Sequence, residues 1–124
     1  MRIFKTRAFG RFARKERIED ALLCEAIERA ERGLIDADLG GDVIKQRIAR
    51  PGQGRSGGYR TLIAYRSRTR TVFMFGFAKN EQDNIDADEL KNLRKAAAEM
   101  LSWTDEEVAA LVAAEKWNEV KCDD

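Results

Sequence analysis

Val43-Ile44-Lys45-Gln46-Arg47-Ile48-Ala49, then Pro51-Gly52-Gln53-Gly54-Arg55-Ser56-Gly57-Gly58, then Tyr59-Arg60-Thr61-Leu62-Ile63-Ala64-Tyr65-Arg66, is the stretch on which the fold turns. In its first part Ile44, Gln46 and Ile48 alternate with Val43, Lys45, Arg47 and Ala49, the period of a strand, so Lys45 and Arg47 are expected on one sheet face. The middle part consists almost wholly of turn formers and is expected as a mobile loop without regular structure. Residues 59–66 and Arg70 to Lys79 are rich in β-branched and aromatic residues and are separated by Ser67-Arg68-Thr69, which completes a three-strand antiparallel meander.

Outward from the meander, residues 2–6 alternate basic and apolar and suit a short N-terminal strand, after which Phe9, Phe12 and Ala13 fall at helical spacing. Arg17 to Arg32 carries a stripe of Leu23, Ile27 and Ala30 with Gly33 as a stop, the signature of a second helix. Asp86 with Glu89, and Thr104 with Glu107, are capping-box pairs that predict two C-terminal helices, the first running to about Leu101. For Trp117 to Val120 a frayed tail and a short edge strand both fit. The expected fold class is α+β: a small antiparallel sheet packed with N-terminal helices and two C-terminal helices. At 124 residues it is expected as one domain, with a core over about 2–101 and a helical extension over about 104–122.

The net charge of +1 conceals a segregation of signs. Residues 1–42 hold nine basic and nine acidic residues, whereas 43–79 hold nine basic residues (Lys45, Arg47, Arg50, Arg55, Arg60, Arg66, Arg68, Arg70, Lys79) and no acid. Residues 80–124 hold thirteen acids and five bases. A middle segment of one sign attracts a polyanion, and a phosphodiester backbone is the commonest such partner. Histidine is absent, which excludes imidazole acid–base chemistry, His metal sites and Ser-His triads. The carboxylates avoid the basic segment, so neither a metal site nor any other cofactor is expected. Phosphodiester cleavage without metal remains open on RNA, where the adjacent 2′-hydroxyl is an internal nucleophile and cations need only orient it and stabilise charge on phosphorus.

Cys24 and Cys122 lie far apart in the chain and match no disulfide or metal spacing, so free thiols in a reducing compartment are expected. The basic N-terminus lacks the apolar run of a secretion signal, no window can span a bilayer, and a cytoplasmic location is the expectation. Phe73, Phe75 and Phe77 alternate and are expected on one core face, with Gly76 permitting a close approach. Arg66, Arg68 and Arg70 are expected as a solubilising or rRNA-touching turn rather than as catalytic groups, and the acids from Asp83 to Glu89 as helix capping. Arg60 has two readings, a functional cation or an ion pair with the acidic helix. The last helix, bearing Val108, Leu111 and Val112, either completes the core or offers a partner surface.

Three segments together, Gly41-Asp42-Val43-Ile44-Lys45-Gln46-Arg47-Ile48, Gly54-Arg55-Ser56-Gly57-Gly58-Tyr59-Arg60 and Phe77-Ala78-Lys79-Asn80-Glu81, resemble the RelE/HigB toxins of toxin–antitoxin systems, within the RelE/ParE superfamily. The resemblance implies a ribosome-dependent endoribonuclease that cuts mRNA in the decoding site. It also implies an antitoxin partner, expected to be a helix-turn-helix protein, and no membrane partner. Carried over by position, it implies that Lys45 and Arg47 hold the phosphate and assist the 2′-hydroxyl, and that Arg60 stabilises the transition state. Asn80 stands where some relatives have a second arginine, and the surroundings of Asp86 where some have a tyrosine or histidine. With those groups missing, Lys79 is the candidate general acid. Arg50, Arg55, Tyr59 and Asn80 are candidate RNA contacts, Tyr59 either stacking on a base or lying in the core. Two other readings of the same architecture are a ParE-like inhibitor of DNA gyrase and a module that binds nucleic acid or an antitoxin without cutting.

Overall fold

The alternation of Arg2–Thr6 places Ile3 on one side of a strand and Phe4 on the other, and both are buried, so this strand, β1, lies inside a sheet covered on two faces. The computed structural model describes residues 1–50, 54–78 and 85–122, with 54–56 as backbone only. Its elements run β1, α1 (Arg7–Glu16), α2 (Asp20–Glu31), β2 (Ala37–Gly40), β3 (Val43–Arg50), β4 (Gly54–Arg66), β5 (Arg70–Ala78), α3 (Ala87–Ser102), α4 (Asp105–Ala113) and β6 (Trp117–Glu119). The six strands form one sheet in the order β2-β3-β4-β5-β1-β6, antiparallel except where β1 pairs with β5. The α+β class and the meander are as expected. β2 was not foreseen, and the tail takes the edge-strand alternative as β6, paired antiparallel with β1.

α1, α3 and α4 each start where a side chain satisfies an orphan amide, whereas α2 follows Glu19 with no side-chain cap. Thr6 Oγ1 accepts from Phe9 N, Asp86 from Glu89 N, and Thr104 with Glu107 forms a reciprocal capping box. Phe9, Ala13, Leu23, Ala26, Ile27 and Ala30 of α1 and α2 pack on one sheet face against Ile44, Ile48, Ile63 and Phe73. Ala97, Leu101 and Val108 of α3 and α4 pack on the other against Val43, Ala64, Val72 and Met74. The last helix therefore completes this second core layer through Val108, with Leu111 and Val112 packed at its edge.

Four expectations change. The glycine-rich stretch was expected to be irregular, but β4 begins at Gly54, which pairs with Arg50 after a register shift in β3; Pro51, Gly52 and Gln53 lie outside the described residues. Ladder hydrogen bonds to β3 outweigh the weak strand propensity of the glycines.

Phe73, Phe75 and Phe77 do not share a face. Phe73 pairs with Ile63 but Phe75 with Leu62, so β5 contains one extra residue, and beyond this bulge its side chains swap sides. The Met74 carbonyl accepts from Thr6 Oγ1 at 2.9 Å, which satisfies a group beside the irregularity. Gly76 then faces α1, where an added Cβ would lie 2.4 Å from the Phe12 ring, and Phe75 and Phe77 face α3.

Arg70 is not part of a solvated turn. It is buried, and its guanidinium donates to the Met100 and Trp103 carbonyls at the end of α3 and pairs with Asp105 at 2.9 Å, cations being favoured at a helix C-terminus.

Cys24 and Cys122 are joined in a disulfide across 98 positions, not free. Sequence distance hid the approach: β6 returns the tail alongside β1, next to α2, and leaves the two Cα atoms 5.8 Å apart.

Candidate nucleic-acid interface

The side-chain period of two, applied to β3, sends Ile44, Gln46 and Ile48 into the α1/α2 core and turns Lys45 and Arg47 to the α3 side. The register of β4 sets Arg60 directly opposite Arg47, and Leu62 opposite Lys45. Through β5 the rows continue as Arg47–Arg60–Phe77 and Lys45–Leu62–Phe75. Three cations thus stand at the β3/β4 end of one sheet face and two aromatic rings at the β5 end. Arg47 and Arg60, directly opposite in the ladder, gather positive charge on this face, Arg47 with the Asp36 carboxylate beside it.

Arg47 is held from behind. Asp36 Oδ2 accepts from the Arg47 amide at 2.7 Å, its Oδ1 lies 3.8 Å from the guanidinium Nε, and the Arg47 carbonyl accepts from Arg29 at 2.6 Å. Asp36 is itself fixed by fully buried Gln46, whose Oε1 accepts from the Asp36 amide at 2.7 Å while its Nε2 donates to the carbonyls of Ala26 and Leu34. The Arg47 side chain is 44% exposed. Lys45 is half-buried and, among the described residues, has no carboxylate partner. Half-buried Arg60 donates from Nη1 to the Gly58 carbonyl at 3.4 Å.

The other candidates separate from this cluster. Tyr59 is 3% exposed and sits on the opposite face, its hydroxyl donating to Glu16 at 2.9 Å and its ring meeting Phe12 edge-on. Burial raises its pKa above the ordinary tyrosine value, and the Glu16 hydrogen bond adds to this. Of its two expected places it takes the core, and base stacking falls away because the ring is covered. The Arg50 guanidinium lies over that ring at 5.4 Å from its centre, away from Lys45 and Arg47. Lys79, Asn80 and the Arg55 side chain lie outside the described residues. Asp86 caps α3, and its amide hydrogen bonds from Glu89 and Asp88 lower its pKa. Among the described residues no group of three or more Asp, Glu, His or Cys could hold a metal ion, and no helix is long and apolar enough to cross a membrane.

Beside the cations lies a cavity of about 490 Å³ between β4/β5 and α3, lined by Leu62, Phe75, Phe77, Leu93 and Ala96 together with the polar Asn92 and Glu89. Sequence reasoning missed it. Gly76 marked a close approach on that strand, but the bulge that aims Phe75 and Phe77 toward α3 has no local signature.

A family model described as the RelE toxin of the RelE/RelB toxin–antitoxin system matches residues 1–120. No curated protein sequence matches the chain.

Proposed function

Since the chain belongs to the RelE toxin family and is thereby a toxin of a toxin–antitoxin system, we propose that it acts as a metal-independent endoribonuclease that cuts mRNA on the ribosome and so stops translation in the cytoplasm. The observation that carries this reading is the β3/β4 register, which brings Lys45, Arg47 and Arg60 onto one face beside an open cavity. In this reading Lys45 and Arg47 hold the scissile phosphate and orient the neighbouring ribose. The 2′-hydroxyl oxygen attacks phosphorus as its proton leaves to solvent. Arg60 neutralises the second negative charge that develops on the five-coordinate phosphorus. The bond to the 5′-oxygen then breaks, leaving a 2′,3′-cyclic phosphate, and Lys79 protonates the departing oxygen to a 5′-hydroxyl. Asp36 and Gln46 position Arg47 and touch no substrate. Arg55 and Asn80 are further RNA contacts, and the antitoxin partner is a helix-turn-helix protein encoded beside the toxin.

Inducible expression of the wild type and of Arg60→Ala in a bacterial host, with new mRNA 5′ ends mapped on translated and untranslated copies of one reporter, tests this. Growth arrest with cuts only in translated message, both lost in the variant, supports it. Arrest with intact mRNA and DNA damage replaces it with gyrase inhibition. At confirmed expression, unimpaired growth and intact mRNA overturn it in favour of a non-cutting module.

A further inference from the structure

The Cys24–Cys122 disulfide joins α2 to the segment just after β6, across 98 positions of sequence. β6 is three residues long and stands at the sheet edge. Past it, the Lys121 amide donates to Asp20 of α2 at 3.0 Å, an exposed contact open to water. Cys122 is exposed and Cys24 half-buried, so a thiol from solvent can reach the bond at the Cys122 sulfur. The core does not depend on this bond. Helices cover both sheet faces, Trp117 and Val120 are buried, and among the described residues no buried side-chain polar atom lacks a partner. Disulfides substitute for a core in small domains that cannot build one, whereas this chain has two packed core layers. A protein that works on the ribosome meets a reducing compartment, where disulfides are transient and redox-sensing.

We propose that Cys24 and Cys122 form a redox latch: the chain carries two thiols while the surrounding small thiols are reduced, and closes the bond, becoming the longer-lived form, when they are oxidised. The oxidant is a low-molecular-weight disulfide, RSSR. The Cys122 thiolate attacks one of its sulfurs, forming a mixed disulfide and releasing a thiolate that takes up the proton Cys122 gave up. The Cys24 thiolate then attacks the Cys122 sulfur and releases the second RSH in the same way. Two protein thiols are oxidised, one RSSR is reduced to two RSH, and an excess of RSH runs the sequence backwards. Closing so long a loop restricts the unfolded chain far more than the folded one. Proteases cut the open form, so its population sets how long the protein lasts. The bond packs on the α1/α2 side of the sheet, while Lys45 and Arg47 face the α3 side, so oxidation lengthens the lifetime without covering the cations. The latch rests on the proposed function for its compartment alone.

The test equilibrates the full chain over a series of reduced-to-oxidised glutathione ratios, approached from both directions. One part of each sample is acid-quenched, denatured and alkylated so that mass counts the thiols, and the other is exposed to thermolysin. Two thiols are expected at the reduced end and none at the oxidised end, on one curve from both directions. The oxidised form should be cleaved about 30- to 3,000-fold more slowly, the stabilisation expected of such a bond converted to a population ratio. Cys24→Ser and Cys122→Ser should be cleaved like reduced wild type at every ratio. Reduced wild type carries no substitution, so the comparison holds even if a variant fails to fold. A bond that stays closed at every ratio is a permanent staple and overturns the latch. Thiols that stay free at every ratio overturn it as well, as does equal cleavage of the two forms. None of these readouts uses RNA, so their failure leaves the ribonuclease reading standing, and mRNA left intact by the wild type overturns that reading alone.

Discussion

Arg47 and Arg60 face each other directly across β3 and β4, and behind Arg47 the Asp36 carboxylate accepts from its backbone amide at 2.7 Å. The carboxylate therefore fixes the Arg47 backbone, with its other oxygen 3.8 Å from the guanidinium. If both arginines meet phosphates, Arg47→Ala and Arg60→Ala each lower affinity for a 2′-O-methylated, uncuttable RNA. Each also reduces the slope of log affinity against log salt by about 0.7, one single-strand phosphate contact apiece. Filter binding between about 50 and 200 mM salt, a range over which such contacts separate well, checks this; an unchanged slope removes that arginine from the phosphate contacts.

Gln46 ties β3 to α2 and to the segment before β2 from a fully buried position. Gln46→Leu keeps much of the volume but leaves the Asp36 amide and the Leu34 and Ala26 carbonyls without this partner, the last of them buried, and an orphaned buried group costs about 1–3 kcal/mol. Urea unfolding should move to a lower midpoint at constant m. Because Asp36 loses its tether, RNA cutting should fall further than the loss of folded protein accounts for.

Gly76→Ala places a methyl 2.4 Å from the Phe12 ring and 3.1 Å from Phe9. Overpacking of this kind costs about 1–3 kcal/mol. Combining it with Phe12→Leu, which shrinks the obstructing ring, should recover part of that loss in a thermal melt. Purely additive losses would mean that the ring is not the obstacle.

The disulfide closes almost the whole chain. A loop of roughly 100 residues restricts the unfolded state by about 4–5 kcal/mol in the chain-entropy account. Oxidised wild type should therefore melt well above both Cys24→Ser and the wild type in reductant, and those two should agree. Thiol labelling after denaturation without reductant should find neither cysteine.

Arg2 forms a double hydrogen bond with Glu119 at 2.8 and 2.9 Å and holds its pKa at about 2, against an ordinary 4.5. A depressed carboxylate pKa stabilises the fold fully above the unfolded value and loses that contribution as pH falls through the folded one. Arg2 is more than half exposed, so solvent screening keeps the contribution to about 1 kcal/mol. Glu119→Gln should be less stable than wild type by that amount at pH 7, and the difference should close between about pH 4.5 and 2. A gap that persists at pH 2 would assign the effect to packing.

What the sequence by itself determined is local. The period of two in residues 43–49 fixes Lys45 and Arg47 on one face, and the caps at Asp86 and Thr104 start their helices, because strand alternation and capping are settled by residues within a few positions of one another. The family resemblance was likewise legible in short segments. Only the tertiary structure decided the rest. The bulge that parts Phe73 from Phe75 depends on how β5 pairs with β4 and on Thr6 of β1. Burial of Tyr59 depends on Glu16 and Phe12 from α1. Arg70 is buried because the end of α3 supplies carbonyls for it, and the cysteines meet because β6 docks on β1. Each of these is a contact between residues far apart in the chain, whose free energy is set by packing and pairing that local propensity does not encode.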